Sequence, residues 1–205
     1  MFGGMDMKNS KSRNLVVAGM LSAVAFVLMF FDFPLPMLIP SFIKMDFSDL
    51  PALLGAFALG PVYGVVISLL KNILHILIKG TSTAAVGELS NFILGAAFSF
   101  TAGLLYKKKR TRNGALIGAI TGAAVMALVS LPSNYFITYP AYSVFYGMSP
   151  EAILKAYQAI VPSVENLFQC LLLFNVPFTF VKGGLDVVLC MLIYKPLSPI
   201  LHGKR

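Results

Sequence analysis

The sequence predicts an all-α integral membrane protein, a six-transmembrane-helix bundle with both termini cytoplasmic, and three observations lead there. Hydrophobic residues make up 58% of the 205-residue chain, charged residues only 12%, and mean hydropathy is +0.82; soluble domains carry about 25% charge. The apolar stretches are long runs without strict alternation, which favours helices over a membrane barrel, and a span takes roughly 20 such residues. Lysine and arginine gather in three places: Lys8, Lys11 and Arg13; the run "KKKRTR" from Lys107 to Arg112; and Lys195, Lys204 and Arg205. Four spans between the first two clusters and two between the last bring all three to the cytoplasmic side.

The first helix is expected over 15–31. The basic residues ahead of it resemble a signal peptide, but "FDFPLP" follows rather than a small-residue cleavage site, so the segment reads as a retained helix. Pro34, Pro36 and Pro40 break the connection 32–49. A short second helix follows at about 50–59, a Gly60-Pro61 turn, a third helix at 62–78, the loop "KGTSTAAVG", and a fourth helix at 88–106. The basic loop 107–113 leads to a fifth helix at 115–131, with an extension toward Ile137. In the segment 138–165, Ser149 and Pro150 mark the cap and first turn of an interfacial helix running through Ile160. The sixth helix covers 167–194, interrupted at Pro177. This layout gives a cytoplasmic segment 1–14, a membrane domain 15–195 and a cytoplasmic tail 196–205, with Asp32, Asp46, Asp49, Glu88, Glu151 and Glu165 toward the outer face.

Charge inside an apolar run is expensive, so the intramembrane polar residues are the candidates for function. In "NVPFTFVKGGLDVVLCMLIY", Lys182 and Asp186 are four apart and either neutralise each other on one helix face or offer an ammonium to a ligand. Gly183-Gly184 and Pro177 favour a cavity there, through close backbone approach and freed carbonyls. Lys44, Asp46 and Asp49 precede the short second helix, where Ser48 or Asp49 can cap its N-terminus or the connection can cover a ligand. Lys71 and His75 share a face of the third helix with Asn72 beside them, and no second His or Cys stands at metal-ligand spacing. Glu88, Ser90 and Asn91 open the fourth helix, where a carboxylate serves the helix dipole or a ligand equally well. Tyr135, Tyr139 and Tyr142 suit an interfacial belt, whereas the amide of Asn134 suits the polar edge of a heteroaromatic ring. Ala18, Ser22 and Ala25, with Gly19 and Ala23 on the adjoining row, form small-residue faces for close packing inside the chain or against another subunit. Cys170 and Cys190 read as buried small hydrophobes. Without a Walker A loop, HExxH, GxSxG or a paired-carboxylate metal array, the chain does not read as an enzyme or a metal site. No aromatic-interleaved basic stripe points to nucleic acid.

The block "DFSDLPALLGAFALGPVYGVVISLLKNILHILIKGTSTAAVGELSNF" and the later "PFTFVKGGLD" resemble the riboflavin-specific substrate-binding (S) components of energy-coupling factor (ECF) transporters. The resemblance implies a six-helix, multi-pass protein of the bacterial cell membrane that binds riboflavin as transported ligand, with no cofactor. It also implies docking on one membrane coupling subunit and two ATPases, through the helix-1 face of Ala18, Gly19, Ser22 and Ala23. The matching ring contacts are Asn134, Thr179 and Lys182, and the covering loop falls on Ile43, Lys44, Met45 and Asp46. The family pattern leads one to expect an asparagine at Thr179, whose hydroxyl has a shorter reach. Polar residues around Asp46 and Glu88, with Asn72 and Asn91, are expected nearer the ribityl tail. Alternatives are an S component for another vitamin, such as thiamine or biotin, and a stand-alone secondary transporter using Lys182 and Asp186 as a relay. The latter lacks the inverted repeat of broken helices common in such carriers.

Overall fold

Apolar runs become helices in a bilayer because each backbone polar group must then be satisfied within its own segment. Prolines and capping side chains decide where they stop. The computed structural model describes residues 3–81 and 83–202, with side chains for 11–81 and 83–193. Of the basic residues that suggest orientation, the side chains of Lys8 and Lys195, and Lys204 and Arg205 entirely, lie outside the described residues.

Helix α1 spans Gly3–Met29, α2 Leu50–Ala58, α3 Pro61–Ile78, α4 Val86–Lys108 and α5 Arg112–Ser133. Beyond α5 the chain stays helical through a π turn (Asn134–Thr138), α6 (Tyr139–Ala141) and a second π turn (Tyr142–Tyr146). Helix α7 is Pro150–Gln158, and α8 (Leu167–Cys170) joins α9 (Val176–His202) through a third π turn, Leu171–Asn175. Within the α1–α2 connection, β1 (Phe33–Pro34) and β2 (Lys44–Met45) pair antiparallel, with Phe33 opposite Met45. Among the described residues, five stretches are long and apolar enough to cross a membrane: Lys11–Met29, Pro61–Ile78, Val86–Lys108, Arg112–Tyr146 and Leu167–Ile193. The chain is a multi-pass helical membrane protein, and α2, too short to join that set, is buried from Leu50 to Phe57.

Two stretches stay helical where prolines were expected to break them. The fifth helix does not stop near residue 131 or 137 but runs through Pro132 and Pro140 to Tyr146, and the sixth is not interrupted at Pro177. A proline lacks the N–H its turn requires and crowds the carbonyl four residues back. Pro140 and Pro177 each follow a π turn by two residues, and the wider turn lets Tyr139 N–H reach the Asn134 carbonyl and Val176 N–H the Leu171 carbonyl. At the far end Gly147, with φ +71°, closes the helix in a left-handed turn. Helix α7 starts as its sequence suggests: the Ser149 hydroxyl accepts from Ala152 N–H, and Pro150 occupies the first turn. The basic loop is shorter than expected, because Thr111 caps α5 and accepts from Gly114 N–H at 3.1 Å.

Small residues set the helix spacings. A Cβ on Gly122 would lie 2.7 Å from the Phe98 carbonyl of α4, and one on Gly183 would lie 2.9 Å from the Ala123 Cβ of α5. On α1, Ala18 and Ser22 turn inward with Ala25, and Ala18 and Ala25 pack with Ala52 of α2 and Ile67 of α3. Of the four residues expected at a docking face, Ala18 and Ser22 thus pack inside the chain, whereas Gly19 and Ala23 face outward. Two larger apolar clusters join this one among the described residues. One joins Leu53, Phe57, Phe98, Met126 and Cys190; the other joins Ile39, Tyr139, Ile153, Tyr157 and Leu171.

Candidate functional site

Between these clusters lies a cavity of about 470 Å³, within the range of small-molecule sites. Its apolar walls come from both sides, Met126 and Leu94 on one, Ile39, Tyr139 and Phe178 on the other. The α1–α2 connection closes over it with Ile39, Phe42, Ile43, Lys44 and Asp46. The π turns matter here: Asn134, Thr138, Tyr142 and Asn175, four of the lining residues, all sit in them. Along the last helix Asn175, Thr179 and Lys182 form one stripe at helical spacing, and all three line the cavity.

The polar walls are two separate networks. In the first, Lys182 Nζ donates to Asp46 Oδ2 at 2.9 Å and lies 3.7 Å from Asp49 Oδ2. The other Asp46 oxygen accepts from the Ser48 amide at 2.8 Å and its hydroxyl at 2.5 Å. Behind this, Lys71 Nζ, fully buried, donates to Asp49 Oδ1 at 2.5 Å and to Ser48 Oγ at 2.7 Å. Burial works against the charge on Asp46, but Lys182 and Lys71 beside it hold its carboxyl well below the usual carboxylate range. Gly95 makes room for the network, since a Cβ there would stand 2.4 Å from Asp49 Oδ1.

In the second network His75 Nδ1 donates to Glu88 Oε1 at 3.1 Å, and Thr81 Oγ1 donates to Glu88 Oε2 at 3.0 Å. The same Thr81 hydroxyl accepts from the Ala85 amide at 2.8 Å, and the Thr83 hydroxyl accepts from the Gly87 amide at 3.0 Å. These bonds hold Ala84 and Ala85 at positive φ (50° and 65°) and so aim the first turn of α4 at the cavity. Near the rim Asp32 takes Lys44 at 2.8 Å and Lys79 at 3.4 Å, exposed pairs that steer more than they stabilise.

The site sets two fixed polar networks against apolar walls, and comparison with known proteins says what kind of protein carries it. Residues 13–194 match the family model of the ECF transporter substrate-specific component. The chain belongs to this family. It is 34% identical over 201 residues, 98% of each chain, to the riboflavin transporter RibU of Staphylococcus aureus (strain TCH60). It is 33% identical over 196 residues to the riboflavin transporter FmnP of Bacillus subtilis (strain 168), covering 95% of this chain and 97% of that one. A solved structure of the S component of a bacterial ECF transporter superimposes with a TM-score of 0.71 at 35% identity, over 95% of this chain and 99% of that one. An ECF substrate-specific component is a part of a transporter, not an enzyme.

In this ECF component the residues singled out from sequence divide clearly. Lys182, Asn134, Thr179, Asp46, Lys44, Ile43, Glu88 and Asn91 line the cavity. Asn72 and Met45 do not: Asn72 Nδ2 turns back to the Ser68 carbonyl at 2.8 Å, and Met45 is buried in β2. Asp186 is not the hydrogen-bonded partner of Lys182. The ammonium reaches Asp46 instead, while both Asp186 oxygens, fully buried, have no hydrogen-bond partner among the described residues. Nor does Asp49 cap α2, because Lys71 takes its carboxylate. Asp46, expected nearer the tail, and Lys182, expected at the ring, touch each other in the closed cavity wall.

Sequence reasoning missed the Lys71–Asp49 and His75–Glu88 pairs and the lining residues Phe42, Thr81 and Asn175. For Asn175 a signal existed: an amide two residues before a proline in an apolar run demands a partner. It finds one in Tyr139, whose hydroxyl accepts from Asn175 Nδ2 at 3.0 Å.

Proposed function

We propose that this chain is the high-affinity riboflavin-binding subunit of an ECF-type vitamin uptake transporter in a bacterial cell membrane. The observation that carries the reading is the cavity with polar poles in two networks, closed over by the 32–49 connection through the Asp46–Lys182 pair, in a chain whose full-length relatives are riboflavin transporters. A flat, largely apolar ring with a polar edge suits walls of Met126, Leu94 and Phe178 flanked by Asn134, Thr179 and Lys182. Lys182 uses one donor on Asp46 and keeps others for a ring carbonyl or nitrogen. Glu88, Asn91 and Thr81 are suited to the hydroxyl-rich tail.

In this reading the bundle has six membrane helices, α2 being the short second one, with both termini cytoplasmic. The segment 1–14 and tail 196–205 flank a membrane domain 15–195, and residues 32–49 form the lid over an outward-facing site. The exposed Gly19–Ala23 row of α1 supports close docking of a partner helix, from one coupling subunit that two ATPases drive.

The test is to purify the protein from cells and record its absorbance spectrum. A flavin spectrum at about one ligand per chain, regained by the stripped protein on adding riboflavin, is the expected result. A colourless protein that binds thiamine or biotin in competition assays would reassign the vitamin. Uptake that persists without ATPase subunits and collapses with the proton gradient would replace the reading with a secondary transporter.

A further inference from the structure

The lid is held at a second point, by aromatic rings rather than an ion pair. Phe42 makes T-shaped contacts with three tyrosines at once: centroids 6.3 Å from Tyr139, 6.0 Å from Tyr142 and 6.4 Å from Tyr157, with interplanar angles of 83°, 78° and 87°. That is the geometry in which the positive edge of one ring meets the negative face of another. The nest has contacts of its own that do not involve Phe42. Tyr139 and Tyr142 stack at 6.1 Å, and the Tyr139 and Tyr157 hydroxyls meet at 2.5 Å. The Tyr157 hydroxyl also donates to Asn175 Oδ1, and Asn175 Nδ2 donates back to the Tyr139 hydroxyl at 3.0 Å. This closed ring of three hydrogen bonds fixes both phenols, because a rotated ring would leave a buried hydroxyl unpaired.

The three tyrosines belong to different elements. Tyr139 and Tyr142 extend the fifth membrane helix, whereas Tyr157 sits on α7, outside the five membrane-crossing stretches. On α7, Ile153 and Tyr157 are one turn apart and both fully buried, so that helix faces the nest with its inner side. The fully buried Ile39 ties the lid to the same cluster.

We propose that Phe42 is a latch whose release from the Tyr139–Tyr142–Tyr157 nest sets the rate at which a bound ligand escapes, and that α7, through Tyr157, is part of the gate. Phe42 is thus a positioning residue for the lid. The proposal rests on the reading that residues 32–49 cover a riboflavin site. It differs from that reading in assigning kinetic control to an apolar contact with a helix outside the spans.

The experiment measures riboflavin dissociation and association by flavin fluorescence for the detergent-purified full chain, Phe42→Ala, Phe42→Tyr, Tyr157→Phe and the Phe42→Ala/Tyr157→Phe double variant. Losing edge-to-face contacts in Phe42→Ala should speed dissociation by on the order of tenfold or more, with a much smaller change in association. Phe42→Tyr, which keeps the ring, should restore slow escape. Tyr157→Phe should speed escape in the wild-type background and add little in the Phe42→Ala background, since both act on one contact. Unchanged dissociation in Phe42→Ala, or fully additive effects, overturns the latch while leaving riboflavin binding intact. Hydrogen exchange without ligand separates the two readings. The Ile39 and Ile43 amides, bonded to the Leu35 and Pro40 carbonyls, should exchange faster in Phe42→Ala, together with amides of α7. Unaltered exchange there refutes the latch even if riboflavin proves not to be the ligand.

Discussion

Lys182 on the last membrane helix and Asp46 in the α1–α2 connection, 136 positions apart in sequence, share a buried 2.9 Å ion pair. One bond therefore ties the cover of the cavity to its wall. Lys182→Ala leaves Asp46 buried without its closest cation, which costs about 3–5 kcal/mol by the general behaviour of broken buried pairs. Replacing both partners by apolar residues, Lys182→Met with Asp46→Leu, should recover most of the melting temperature. Riboflavin affinity should stay low in both proteins, because the proposed ring donor is gone. Recovery of affinity with stability would deny Lys182 a ligand contact.

Lys71 serves a different end. Its ammonium reaches Asp49 and Ser48, and it does not line the cavity. Lys71→Met should lower stability by about 3–5 kcal/mol, read from thermal unfolding in detergent. The fraction that stays folded should bind riboflavin within about threefold of wild type, roughly 0.6 kcal/mol. A selective loss of affinity at normal stability would move Lys71 into the binding site.

Around this network two ammoniums, Lys71 and Lys182, accompany three carboxylates, Asp46, Asp49 and Asp186, and only Asp186 lacks any hydrogen-bond partner among the described residues. Asp186→Asn keeps the shape and makes the side chain uncharged at every pH. Stability should be unchanged or raised by up to about 2 kcal/mol, since an unpaired buried charge is a cost. A clear drop in melting temperature would mean that the carboxylate itself is needed where it stands.

The pH response follows from Asp46. Its folded-state value lies below its ordinary 3.8 because Lys182 and Lys71 outweigh the opposing effect of burial. A depressed carboxylate contributes its stabilisation fully above the unfolded value and loses it only as pH falls through the folded one. The closing pair should therefore stay intact at neutral pH, and riboflavin affinity should be flat from about pH 5 to 8. Titration by fluorescence quenching checks this; a step between those limits would assign control of binding to a group other than Asp46.

Legibility in the sequence varied from residue to residue. The Ser149-Pro150 start of α7 was plain, because a cap and a first-turn proline act within a few residues of themselves. The passage of helix through Pro140 and Pro177 was not, because proline reads as a stop unless a π turn is available upstream. Lys182 stood out because a charge in an apolar run needs an explanation, yet its ammonium bonds Asp46 rather than the nearest sequence candidate, Asp186. Helical spacing says which side chains share a face but not which neighbouring element faces them.

By itself, then, the sequence determined the membrane class, most helix cores and the family, since these depend on composition, local periodicity and one long polar pattern. Tertiary structure alone decided that Asp46 meets Lys182, that Asp49 meets Lys71, that Ala18 and Ser22 face inward, and that Phe42 reaches Tyr157. Those contacts join residues distant in sequence, and only packing in three dimensions brings such groups within the few ångströms over which ion pairs, hydrogen bonds and ring contacts act.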